Sequence, residues 1–240
     1  MLHTTLYYGL LALLAIALLF AAGTDLKRRE IDNWLNLAIA LAAPAFWWAG
    51  GLTLWPDIAA QLGVALAAFA IAAGLFAIGQ MGGGDVKLIA ALALWFAPAL
   101  FLNMLIIMAV IGFVLTMGLG ALRVGRADGG LLSRDTVALS ALSLVAAILI
   151  AAFAGVIALP LPGFVREAAS SSMVLAVVVF QLPVLVLGYV SLHAIRIFRR
   201  REVSIAAPYG VAISGAGLWL IGGQFAAQFA ATGALQRIAV

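Results

Sequence analysis

The chain has 240 residues, 66% hydrophobic and 9% charged, with mean hydropathy +1.22 and formal net charge +4. So much apolar surface exceeds what a soluble core of this size buries and fits a polytopic helical membrane protein, because helices satisfy their own backbone hydrogen bonds in lipid. There is no cysteine and only two histidines, His3 and His193, which excludes disulfides, zinc–thiolate sites and thiol catalysis and argues against a histidine-rich metal site.

A hydrocarbon core about 30 Å thick takes about 20 apolar residues per helix. The first segment, Leu6–Gly23, has no basic run before it and is followed by Lys27-Arg28-Arg29-Glu30, so it is expected to be a retained transmembrane helix and not a cleaved signal. Asp25 sits at its C-terminal edge, where the helix dipole disfavours a negative charge and favours proton uptake. Asp32, Asn33 and Asn36 surround the start of the second segment, Trp34–Gly51. Asn33 is expected as its N-cap, with Glu30 and Asp32 balancing the basic run. The third segment, Ile58–Gly79, is capped by Asp57.

Gly82-Gly83-Gly84-Asp85 then precedes the shorter Val86–Ala97, which ends at Pro98. Three glycines open backbone conformations closed to other residues and let another chain approach closely. Asp85 opens a helix, where free N–H groups favour its charged form, so it is expected to ionise more readily than Asp25. The plainer reading is a glycine turn with an ordinary aspartate N-cap. A phosphate-binding loop fits less well, since the strand and the Lys–Ser/Thr ending are missing. Ala99–Leu122, a mixed-charge connection Arg123–Asp135, Val137–Leu159, an outer loop Leu159–Ser172, Met173–His193 and Tyr209–Ala231 complete the chain. Trp34, Trp47, Trp48 and Trp55 are expected as interface anchors. The fold class is thus all-α, a membrane bundle of about eight helices (six to eight) forming one domain over residues 1–240.

With the N-terminus outside, Lys27, Arg28, Arg29, Lys87, Arg123, Arg126, Arg134, Arg196, Arg199, Arg200 and Arg201 face the cytoplasm; only Arg166 and Arg237 do not. That satisfies the positive-inside bias and attributes the pI near 10 to topology, not to nucleic-acid binding. Treating Val86–Ala97 as non-spanning inverts everything after it and breaks the bias. The same threading puts Asp25 and Asp85 on one membrane face. An ionisable residue beside hydrocarbon is a functional candidate, and two carboxylates that meet suggest an aspartic protease pair sharing one proton. The alternative from another class is a small proton- or ion-coupled transporter using the same aspartates, although such groups usually lie near the bilayer midplane.

Asp25, Ile31, Asn33 and Asn36, then Gly82, Gly84, Asp85, Val86, Lys87 and Leu88, then Ala207-Pro208-Tyr209-Gly210, resemble in content and order the type IV prepilin peptidases. The resemblance implies that Asp25 and Asp85 are the catalytic pair of an aspartic endopeptidase of the bacterial inner membrane. It would cut the short basic leader from a prepilin or pilin-like substrate, on the cytoplasmic side, after the glycine that precedes the pilin's hydrophobic helix. Substrate contacts are expected from Gly82, Gly83, Gly84, Asn33, Glu30 and Asp32, with Asp128 a further acidic candidate for the leader. No metal or organic cofactor is implied. The chain departs from the family in having Asp32 where Ile-Pro-Asn is common. The larger bifunctional members carry a cysteine-containing insert and methylate the new terminus. Here only residues 26–33 separate Asp25 from the second helix, so the compact form resembles the peptidases of tight-adherence (Flp-type) systems without the methyltransferase.

Overall fold

A computed structural model describes residues 2–127, 133–153, 173–202 and 207–231. The expected outer loop Leu159–Ser172, with Asp128, Arg166 and Arg237, lies outside them. Among the described residues the structure is all-helical: α1 (Leu2–Arg28), α2 (Asn33–Ala49), α3 (Ala59–Ala77), α4 (Gly83–Ala93), α5 (Pro98–Ala127), α6 (Arg134–Phe153), α7 (Met173–Arg200) and α8 (Tyr209–Ala231). A wide helical turn, Leu54–Ile58, leads into α3. Four stretches among these residues are long and apolar enough to cross a membrane: Leu2–Arg28, Leu54–Ala77, Pro98–Arg126 and Tyr209–Ala230. The protein is therefore a helical membrane protein, and many of its large apolar side chains are exposed as lipid requires, among them Leu13, Ile16, Leu19, Leu66 and Ile71.

The helices fall into two compact units, one drawn from residues 1–109 and 208–240, the other from 110–207. In the first unit α1 packs on α2 and α8, and α4 packs on α2, α3 and α8. Leu11, Leu14, Leu18 and Ala21 are buried at spacings of three and four, and Asp25 is the next residue on that stripe. A Cβ on Gly217 of α8 would come within 2.7 Å of Leu18, so glycine permits the close approach of α8 to α1. In the second unit α6 packs on α7 around Met117, Ala121, Val124, Leu139, Ala194 and Ile197.

Four expectations change. The first helix runs on to Arg28, so Asp25 lies inside its last turn. It stops there because Arg29 takes a left-handed backbone (φ 58°). The short helix is Gly83–Ala93, 11 residues, about 16 Å at 1.5 Å per residue. That is roughly half a bilayer core. The mixed-charge connection ends before Asp135, which is buried in the first turn of α6. Of the tryptophans, Trp34, Trp48 and Trp55 are exposed as anchors should be, but half-buried Trp47 donates its indole N–H to the Leu94 carbonyl at 2.7 Å.

Candidate active site

Asp25 is buried although it is a charged residue. Its partner comes from the far end of the chain. α8 begins after Pro208, which has no side-chain oxygen to cap the free N–H groups of the first turn. Asp25 supplies that oxygen from α1: its Oδ2 accepts the Val211 N–H at 3.2 Å, and the Gly210 N–H also donates to this carboxylate. Carboxylates are favoured at helix N-termini. Gly210 is required by contact: a Cβ there would lie 2.8 Å from Asp25 Oδ2 and 2.7 Å from Ile31 Cδ1.

Asp85 occupies the third position of α4, and Gly82 is the N-cap. The expected aspartate N-cap is thus corrected by one turn: the Asp85 carboxylate reaches back to accept the Gly82 N–H, as the acidic member of a capping box does. Burial, and next the neighbouring Asp25 carboxylate, push Asp85 up from 3.8 to about 6, against the Gly82 hydrogen bond. A helix dipole stabilises an anion by about 0.3–1 kcal/mol. The rise to about 6 corresponds to roughly 3 kcal/mol in favour of the proton. Desolvation and like charge therefore win, and Asp85 holds its proton more tightly than its place at a helix N-terminus suggests.

The α1–α2 linker closes over both acids. Gly84 lets it approach, since a Cβ at that position would stand 3.1 Å from Ile31 Cβ and 3.3 Å from the Ile31 backbone. Asn36 is buried in α2 and donates its Nδ2 to the Gly84 carbonyl at 3.2 Å. Asn33 does not cap α2, because the N-cap position is Asp32 and its side chain makes no capping bond. Asn33 instead accepts the Lys87 ammonium at 2.6 Å, tying the start of α2 to α4. Asp32 pairs with Arg28 at 2.8 Å, as expected of a residue balancing the basic run. Both carboxylates, the linker Arg29–Asn33 and Gly82–Gly84 line one cavity of about 330 Å³. Helices α2 and α8 make this possible, since each packs on both α1 and α4.

Residues 12–117 match the family model described as the type IV leader peptidase family. The match spans less than half of the chain. No curated protein and no solved structure matches the chain. The leader peptidase segment holds Asp25, the linker and Gly82–Asp85, but the N–H groups that hold Asp25 come from α8, beyond it. A leader peptidase-like protease built on membrane-crossing helices is what the match and the fold support. Gly82, Gly83, Gly84, Asn33, Glu30 and Asp32 line the cavity beside the two aspartates, whereas Asp128 lies outside the described residues. The histidines stand apart: His3 packs on Trp48 and His193 on Tyr189. Among the described residues no cluster of His, Cys, Asp or Glu has the makings of a metal site. Gly210 and Val211 are visible in the sequence only as part of a motif, without a role.

Proposed function

We propose that this protein is an aspartic endopeptidase that removes the basic leader of a type IV or Flp-type prepilin at the cytoplasmic face of the inner membrane. The observation that carries the reading is the convergence of two carboxylates, from α1 and α4, on one polar cavity within a leader peptidase segment. Asp25, held by the α8 N–H groups, is the ionised partner, and Asp85 carries the proton. The Asp25 carboxylate takes a proton from water, and the water oxygen bonds to the scissile carbonyl carbon. The carbonyl oxygen receives the Asp85 proton. Asp25 then passes its proton to the leaving nitrogen, the C–N bond breaks, and a hydroxyl proton of the intermediate returns to Asp85. The scissile glycine suits an extended backbone laid against Gly82–Gly84. Glu30 and Asp32 supply negative charge for the basic leader, and residues 1–240 act as one peptidase domain. Lys27, Arg28, Arg29 and Lys87, which flank the two aspartates, support the cytoplasmic placement.

Co-expression with a Flp-type prepilin tests this by mobility shift. Wild type should cleave it, and Asp25→Asn and Asp85→Asn should each leave it uncut at normal protein levels. Processing by either variant overturns the pair. Failure of the wild type on a panel of prepilins overturns the substrate.

A further inference from the structure

The first unit carries a second polar cavity, of about 410 Å³, at the other end of its helices. Tyr7 stands near the start of α1, and Asp25 is a further 18 residues on, about 27 Å along the helix. Tyr7, Phe46 and Trp95 form one wall of this cavity, with ring centroids 4.7 Å apart for Tyr7–Phe46 and 4.8 Å for Phe46–Trp95. Three polar side chains complete it. Gln61 is 3% exposed, and among the described residues its Oε1 has no hydrogen-bond partner. A buried amide oxygen is stabilised by a donor. Asp57 brings a carboxylate whose Oδ2 is occupied by the Thr53 N–H (3.0 Å) and hydroxyl (2.8 Å). Oδ1 takes part in neither bond. Gln224 accepts the Tyr7 hydroxyl on Oε1 at 2.8 Å, which leaves its amide nitrogen as a donor.

We propose that this cavity binds the headgroup of an ethanolamine phospholipid in the leaflet opposite the aspartates. Its primary ammonium donates to Gln61 Oε1 and to the Asp57 carboxylate against the aromatic wall. Its phosphate accepts from the Gln224 amide. Exposed Trp48 and Trp55 at this end mark the depth at which headgroups lie. A choline headgroup offers no N–H to Gln61, and a glycerol headgroup offers no cation to Asp57.

Native mass spectrometry of the full chain in detergent tests this, titrating ethanolamine, choline and glycerol phospholipids of identical acyl chains, with soluble phosphoethanolamine as a separate arm. The ethanolamine lipid should bind at least about tenfold more tightly than the other two. Gln61→Leu and Asp57→Asn should each remove that preference, whereas Asp85→Asn should keep it. Soluble phosphoethanolamine should compete, weakly if the acyl chains add affinity and equally if the site takes a free metabolite. Equal binding of the three lipids, or a preference that survives Asp57→Asn, overturns the proposal. Asp57 is exposed, so its variant reports even where Gln61→Leu fails to fold.

Discussion

Asp85 and Asp135 are the same residue in nearly the same local place, the first turn of a helix, and their surroundings treat them in opposite ways. Asp135, in the second unit, is gripped by two guanidiniums from the end of α7 and the residue after it, Arg200 at 2.6 Å and Arg201 at 2.8 Å. Those hydrogen bonds and charges hold its carboxyl below the usual range, and it ties α6 to α7. Asp85, in the first unit, is half-buried beside another acid and rises to about 6. A carboxylate with cations is a fastener. A carboxylate deprived of water and placed beside a second one is primed to exchange a proton near neutral pH.

The largest effect should separate the two acids outright. Asp85→Asn should lower prepilin cleavage by at least about a thousandfold, as loss of a proton-transfer group can. Asp135→Asn should leave the rate per folded molecule within about twofold, since the ion pair it breaks fastens α6 to α7 and acts on stability. Equal losses in the two variants would erase that distinction.

Next in size is Gly210→Ala. The added methyl meets both Asp25 and Ile31 below 3 Å, and overpacking of this kind costs about 1–3 kcal/mol. Cleavage should fall by more than about tenfold, with a lower Tm in detergent. A variant as active and stable as wild type would show that α8 does not position Asp25.

The pH dependence sharpens the contrast. Asp85 titrates higher in the folded chain than the ordinary 3.8, so the folded state holds its proton more tightly. Its contribution to stability is complete below about 4 and is lost as pH rises through about 6. Cleavage should decline as the shared proton leaves over that upper range. The Tm of Asp85→Asn should exceed that of wild type at pH 8 and converge with it below about pH 4. For Asp135 the sign reverses: its depressed value makes the contribution present above the ordinary carboxylate range and lost in acid. A Tm for Asp85→Asn below wild type at pH 8 would contradict the assigned burial penalty.

The smallest effect is that of Asp135→Asn on stability. It should cost about 1 kcal/mol, because Arg200 is largely solvent-exposed and its attraction is screened. The loss should shrink in high salt; a loss insensitive to salt would point to packing instead.

The two aspartates are legible in the amino-acid sequence because charge is rare in this chain and both stand beside apolar runs. The buried stripe Leu11, Leu14, Leu18 and Ala21 also points at Asp25, through nothing more than helical spacing. Helix-end rules misjudge Asn33 and the ionisation of Asp85. Both outcomes depend on groups distant in sequence: Lys87 draws Asn33 away from its cap, and Asp25 adds its charge to the burial of Asp85.

By itself, then, the sequence determined the membrane class, the helical architecture and the pair of acids, because hydropathy and rare charge are local properties that each segment carries with it. Only the tertiary structure decided which N–H groups hold Asp25, what raises Asp85, and why a side chain at Gly84 or Gly210 would crowd Ile31. Those are matters of contact between residues as far as 186 positions apart, and desolvation and close approach do not exist until the helices have packed.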